Sequence, residues 1–233
     1  MTTLSSDTFT GTNGAAWSAT WATGLTPSGG GSQIQSNQGR LTCGTTGGYA
    51  GGSRVARRDA TAGSVANAVA LFSFQWPTGD EVYPLFYVRS NQSNANLLDG
   101  QAGYYVSLNR PAGNWTLGYS NAYAGTDLLT PVTLAFASAT KYWCRFGAVG
   151  SLVQARVWAD GAGEPNTWDR STTDTTLTAA GAAGFSVGVG NAGLGKWDVD
   201  DYQLDDAFPS ASFNPPETYV SPSMAALNRA MSW

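Results

Sequence analysis

Trp143 and Arg145 alternate along one run of the chain, and Gln154, Arg156 and Trp158 alternate along the next. Residues two apart lie on one side of a β-strand. Pairing of the two runs as a hairpin would therefore set an Arg and Trp ladder on one surface. Such a surface suits sugars, because an aromatic ring takes the apolar face of a pyranose while planar amide and guanidinium groups satisfy its hydroxyls. Tyr83, Tyr87 and Arg89 repeat the spacing on another run and could extend the ladder, as could Tyr105 and Asn109. The competing account makes the same residues a stabilising cross-strand cluster, or places them beneath a loop.

Cleavage of a glycosidic bond with retention needs two carboxyl groups about 5 Å apart on one face. The glutamates are Glu81, Glu164 and Glu217, and none lies in an alternating acidic run. Asp80 and Glu81 are adjacent and would point to opposite faces of a strand. Asp198, Asp200, Asp201 and Asp205 do form an acidic run, at an expected sheet end where a structural role fits better. The chain has no histidine, which removes the commonest general base, the Ser-His and Cys-His nucleophile pairs and the usual zinc ligand. The sequence reads as a non-enzyme.

The elements that must position these residues are strands. Two-residue alternation marks 65–76, 82–90, 102–109, 114–120, 142–149, 152–158 and 185–189, with further strands near 7–10, 32–43 and 197–204. Turn-forming residues separate them, among them Pro77 to Asp80, Pro111 to Asn114 and Asp160-Gly161. Ten to fourteen strands suffice for two facing antiparallel sheets. Within 197–204, Trp197 and Val199 share one phase of the alternation and Tyr202 and Leu204 the other, so a β-bulge at Asp200-Asp201 is expected. Cys43 and Cys144 both fall on core-facing positions and are read as buried free thiols, the alternative being a Cys43 to Cys144 bond. In the turn that follows Trp158, Asp160-Gly161 suits positive φ, Pro165 stiffens the exit, and Glu164 is free to accept backbone hydrogen bonds or pair with an arginine.

Composition agrees. The chain has 233 residues, 29 glycines, 12% aromatic and only 12% charged residues, a mixture that short strands and many turns would use. All-β sandwiches of this length commonly form one unit. A net charge of −4 argues against nucleic acid as partner, and no apolar run reaches the roughly 20 residues of a membrane helix. Arg54, Arg57 and Arg58 form the one basic cluster, either a solvated loop or strand edge or a contact for an anionic partner. The first residues carry neither a basic segment nor an apolar core, so no secretory signal is expected and folding in a cytoplasm is.

After Asp206 the texture changes. Three prolines interrupt residues 207–216, and Ser221-Pro222 could open a short helix carrying Met224, Leu227 and Met231. About ten residues of helix are marginal alone, so 207–233 is expected to dock, on its own sandwich or on a neighbouring subunit.

The run Tyr142 to Phe146, then Gly150, Val153 to Gly161, Glu164-Pro165 and Trp168, together with Asp7-Thr8-Phe9 and Val199 to Tyr202, resembles concanavalin A-like (laminin G-like) jelly-roll modules, including those of bacteriophage minor tail proteins. The resemblance brackets residues 1–206 as one all-β, two-sheet antiparallel jelly-roll sandwich whose first and last strands are neighbours. It also implies a structural Ca²⁺ near their meeting point, for which Asp7, Asp201 and Asp205 are the residues to choose; solvated acidic strand ends are the other account. No further cofactor is implied. The resulting expectation is a non-enzymatic structural protein of a phage virion, at the tail tip, present in several copies, contacting other virion proteins through its C-terminal tail and host-surface glycan through its lectin-like face. A bacterial carbohydrate-binding module is the alternative, as is a decoration protein without sugar binding.

Overall fold

Alternating apolar side chains produce strands with one core-facing side, and in the computed structural model these strands stack as two antiparallel sheets. Residues 1–23, 30–44, 55–78, 82–91, 102–121, 124–189 and 195–209 are described. In chain order the strands are β1 (Thr3–Asp7), β2 (Trp21–Thr23), β3 (Gly31–Gln35), β4 (Gln38–Thr42), β5 (Val55–Asp59), β6 (Ala68–Gln75), β7 (Val82–Ser90) and β8 (Ala102–Asn109). They continue as β9 (Asn114–Asn121), β10 (Ala124–Asp127), β11 (Val132–Thr133), β12 (Tyr142–Val149), β13 (Leu152–Ala159), β14 (Arg170–Thr173), β15 (Ala182–Val189) and β16 (Lys196–Asp205). The first sheet runs β14-β13-β12-β6-β16-β4-β3 with β1 also on β16; the second runs β10-β9-β8-β7-β15-β5-β2 with β11 on β9.

The inner faces meet through aromatic rings contributed by both sheets. Phe72 of β6 lies 5.0 Å from Phe185 of β15, edge to face, and Phe86 of β7 lies 4.7 Å from Phe185. Each is essentially fully buried, and burial of such a ring is worth roughly 1.5–3 kcal/mol. Tyr202 of β16 donates to Asp59 Oδ2 of β5 at 2.8 Å, a buried polar tie between the sheets. Cys43 and Cys144 are buried free thiols, and Cys43 donates to the Val187 carbonyl.

The expected bulge is present. Pairing of β16 with β6 slips between Asp200 and Gln203, and Asp201 takes φ +50°. The slip turns Trp197, Val199, Tyr202 and Leu204 all inward, each at most 2% exposed. β1 pairs with β16, so the first and last strands are neighbours.

Four expectations change. The strand expected over 32–43 is a hairpin, β3 and β4 pairing about a turn at Ser36 and Asn37, both at φ +56°. The first strand ends at Asp7, and Phe9, at φ +49°, leaves the strand to enter the core. The strand expected from 65 begins at Ala68, Val65 making only an isolated bridge to Gly181. Arg57 is not solvated: it is buried on the inward side of β5, its Nε donating to Ser32 Oγ of the other sheet and Nη1 to the Ala56 carbonyl. Of the C-terminal segment, 207–209 are described, and Phe208 packs edge-on against Trp168 at 5.0 Å. The helix expected after Pro222 lies outside the described residues, as do Arg54, Asp80, Glu81 and Glu217.

Candidate functional site

β12 and β13 pair in the register that places Trp143 opposite Trp158, Arg145 opposite Arg156 and Gly147 opposite Gln154. The ladder therefore exists, on the outer face of the first sheet. The Trp143 and Trp158 rings are 6.4 Å apart and 11° from parallel. Lys141 Nζ sits 5.0 Å from the Trp143 ring centre while pairing with Asp201 at 2.7 Å. Trp143 Nε1 donates to Asp160 Oδ1 at 2.7 Å, and Gln154 donates to Ser171 Oγ at 2.9 Å.

The turn after β13 folds back over this surface. Gly161 and Gly163 both take positive φ, which glycine alone adopts without strain, and the chain reverses so that Glu164 reaches the two arginines. Arg145 Nε and Nη2 donate to its two carboxylate oxygens at 2.5 and 3.0 Å, and Arg156 Nε donates to Oε1 at 2.8 Å. Arg156 also donates to the Pro165 carbonyl and lies 4.2 Å from the Trp168 ring centre. Burial pushes the Glu164 carboxyl up, but the hydrogen bonds and charges of Arg145 and Arg156 outweigh it and hold the group below the usual glutamate range. A carboxyl so held stays ionised and is a poor general acid. Both arginines are buried beneath this strap, and Trp158 with them.

Tyr83, Tyr87 and Arg89 do not extend the ladder. They belong to β7, in the second sheet, because β12 takes β6 as its other neighbour. Arg89 also leaves its expected face. A bulge displaces it at φ +53°, and its guanidinium donates to the carbonyls of Ala66, Leu177 and Gly150, closing one end of the sandwich.

The outer face of the second sheet carries a different row. Reading across neighbouring strands, Ala22, Arg58, Gly184, Tyr87, Tyr105, Gly118 and Asp127 are successive cross-strand partners. Beside it runs a second row of Ala56, Ser186, Leu85, Ser107 and Thr116. Tyr87 and Tyr105 meet edge to face at 5.8 Å and, with Ala56, Leu85 and Ala182, form an apolar cluster separate from the main core. Gly118 is required there: a Cβ would fall 2.6 Å from the Tyr105 ring. The cluster is buried, with Tyr87 4% and Tyr105 8% exposed, while Arg58, Tyr83 and Ser107 are half-buried. Three polar atoms on this face, Arg58 Nε, Ser186 Oγ and Ser90 Oγ, the last opposite Ala182 of the cluster, are buried without a hydrogen-bond partner. Alternation in the sequence placed the tyrosines; nothing in it signalled Arg58 and Ser186 as their neighbours, since they come from strands distant in the chain.

The three aspartates chosen for calcium do not converge. Register sets Asp7 opposite Tyr202 and Asp205 opposite Thr3, so each finds its own partners. Asp7 accepts from Phe9 N–H, Ser18 Oγ and Trp21 Nε1; Asp205 accepts from Thr3 Oγ1 and Gln203; Asp201 accepts from Ser73 Oγ and Lys141. Among the described residues no three acidic, His or Cys side chains gather in a way that could hold a metal.

No protein-family model and no curated protein matches the sequence. Solved structures do match. The carbohydrate-binding module CBM66 from Bacillus subtilis superposes with TM-score 0.57 at 11% identity, covering 80% of this chain and 95% of that one. LamA from Z. galactanivorans, in complex with laminaritriose and laminaritetraose, gives 0.61 at 10% identity over 87% and 98%. The VIP36 exoplasmic/lumenal domain in its Ca²⁺/Man-bound form gives 0.58 at 13% over 83% and 86%. A native glycosidic hydrolase also superposes, with TM-score 0.59 at 8% identity over 85% and 96%, so a binding module and a hydrolase share this architecture; the two eight-stranded sheets of this chain place it in the same fold, the concanavalin A-like jelly-roll β-sandwich.

Proposed function

We propose that this chain is a non-enzymatic, lectin-like domain that binds glycan on the outer face of its second sheet. The observation that carries the reading is that one face holds both the Tyr87–Tyr105 cluster and two buried polar atoms, Arg58 Nε and Ser186 Oγ, without partners among the described residues. A buried donor left unmade costs about 1–3 kcal/mol, and a hydroxylated ligand that satisfies it recovers that cost. By contrast, the polar groups of the Trp and Arg ladder are engaged within the protein: Arg145 and Arg156 by Glu164, Trp143 by Asp160, Gln154 by Ser171. The ladder serves to hold the 160–168 strap, and Trp143, its half-buried member, is the competing sugar platform. Absence of hydrolysis is favoured by Glu164, the one glutamate among the described residues, being locked between two arginines.

The biological setting we propose is the tail tip of a phage particle, where several copies present this face to host-surface glycan and the segment after Asp206 contacts other virion proteins. The likeness of Tyr142 to Trp168 to phage minor tail modules supports it. The likeness to CBM66 favours a second setting, a binding module attached to a bacterial enzyme. Particle imaging that locates this chain at a tail tip supports the first, and its absence from purified particles refutes it. For the activity itself, purified protein is expected to bind immobilised glycans without releasing reducing sugar; release that is lost on Asp→Asn changes would overturn the non-enzymatic reading.

A further inference from the structure

Among the described residues Arg58 meets no counter-charge and no hydrogen-bond partner, in contrast to Arg40, Arg145 and Arg156, whose guanidinium groups all meet carboxylates. Its cross-strand partners are Ala22 on one side and Gly184 on the other, so no side chain opposite it can supply an acceptor. The one acidic residue in its row, Asp127, lies five strands away, about 24 Å at ~4.8 Å per strand. That exceeds the Debye length of roughly 8–10 Å at physiological salt, and Asp127 Oδ1 is already within 3.4 Å of Tyr105 OH.

Ser186 stands one row along on β15, on the same face, since Ser186 pairs with Ala56 and Gly184 with Arg58. It is 1% exposed, and its hydroxyl has no partner. Leu85 flanks it on the other side and offers no polar atom. A guanidinium and a hydroxyl in adjacent rows, neither with a partner among the described residues, form a donor set for an oxyanion, with Tyr87 two strands from Arg58 along its row, about 10 Å at ~4.8 Å per strand. Guanidinium matches a planar carboxylate or a sulfate with two parallel hydrogen bonds, and the hydroxyl supplies another. A neutral sugar would satisfy Ser186 and leave the charge of Arg58 uncompensated.

Resting on the glycan-binding reading, we infer that Arg58 and Ser186 form an anion subsite and that the ligand is an acidic saccharide, bearing a carboxylate or a sulfate that Arg58 recognises. Tyr87 and Tyr105 then contact the adjoining ring.

The test is an array of neutral glycans beside their uronate-, sialate- and sulfate-bearing counterparts, probed with the full chain and with Arg58→Gln, Arg58→Lys and Ser186→Ala. The wild type is expected to bind acidic members about tenfold or more tightly than their neutral counterparts, as a charge-assisted hydrogen bond allows, with signal falling as salt is raised. Which counterpart carries the preference separates carboxylate from sulfate. Arg58→Gln removes the preference, Arg58→Lys retains part of it, and Ser186→Ala weakens acidic binding without abolishing it. Should Arg58→Gln fail to melt cooperatively, the Arg58→Lys and Ser186→Ala results decide. Equal binding of neutral and acidic members, or an acidic preference that survives loss of Arg58, overturns the anion subsite while leaving glycan binding intact. No binding to any member overturns both.

Discussion

Arg145 and Arg156 face each other directly across the β12–β13 hairpin, two like charges each less than 10% exposed, and both are held by one carboxylate. Like charges in direct register repel, so Glu164 is what makes this arrangement stable. Glu164→Gln leaves both cations uncompensated. Breaking a buried pair costs 3–5 kcal/mol; the Glu164 side chain retains 30% exposure, so about 1–3 kcal/mol is expected after solvent screening. Urea unfolding of the variant measures it. Adding Arg145→Met to Glu164→Gln should recover part of the loss, and a Glu164→Gln protein as stable as the parent would remove the strap from the account of the fold.

Stability should be flat near neutrality and fall at both ends of the pH range. Glu164 is held below its ordinary range in the folded state, so its contribution is present above the unfolded value of about 4.3 and is lost as pH falls through the lower folded value. The tyrosines act oppositely. Burial, then the hydrogen bond to Asp174, pushes Tyr104 up to about 12, and burial with the Asp59 charge raises Tyr202 well above its usual value. A raised phenol favours the folded state below the unfolded value of about 10 and loses that advantage as pH climbs beyond it. Melting temperature followed against pH is expected to drop above about pH 10, and more steeply in the parent than in Tyr202→Phe. A curve with no alkaline limb would contradict the buried Tyr202–Asp59 tie.

Trp168 links the strap to the start of the C-terminal segment, with Arg156 on its ring and Phe208 against its edge. Truncation after Asp206 removes the aromatic pair and is expected to cost about 0.5–1.5 kcal/mol. Trp168→Ala should cost more, since the cation–π contact goes too. The two changes share a partner, so together they should cost less than their sum. Thermal or urea unfolding of the three variants checks this, and an unchanged truncated protein would show that Phe208 docks without consequence.

What the sequence disclosed follows from local periodicity. The shared faces of Trp143 with Arg145 and of Arg156 with Trp158, the two buried thiols and the bulge at Asp200-Asp201 were all visible as phases of a two-residue pattern, whereas the register that sets Trp143 opposite Trp158 was not. What it hid is non-local. Nothing in the alternation of Tyr83 and Tyr87 says that β7 joins the sheet opposite β12, because sheet membership is decided by pairing between strands far apart in the chain. The burial of Arg57 was hidden for a related reason, since its acceptor Ser32 lies in the other sheet. Short strands such as β10, every residue of which is exposed, carry no apolar pattern to read. Glu164 was legible as a partner for an arginine, though not as the partner of two.

Titrating one glycan, selected from the array by wild-type binding, into wild type, Tyr105→Ala and Trp143→Ala decides whether sugar is met on the tyrosine face of the second sheet or on the tryptophan ladder of the first. Aromatic contacts of this kind are worth about 0.5–1.5 kcal/mol beyond area burial. Binding is expected to weaken roughly two- to tenfold in Tyr105→Ala, with both variants folded and Trp143→Ala binding as the parent does. Loss of binding in Trp143→Ala with Tyr105→Ala unaffected would contradict binding on the tyrosine face.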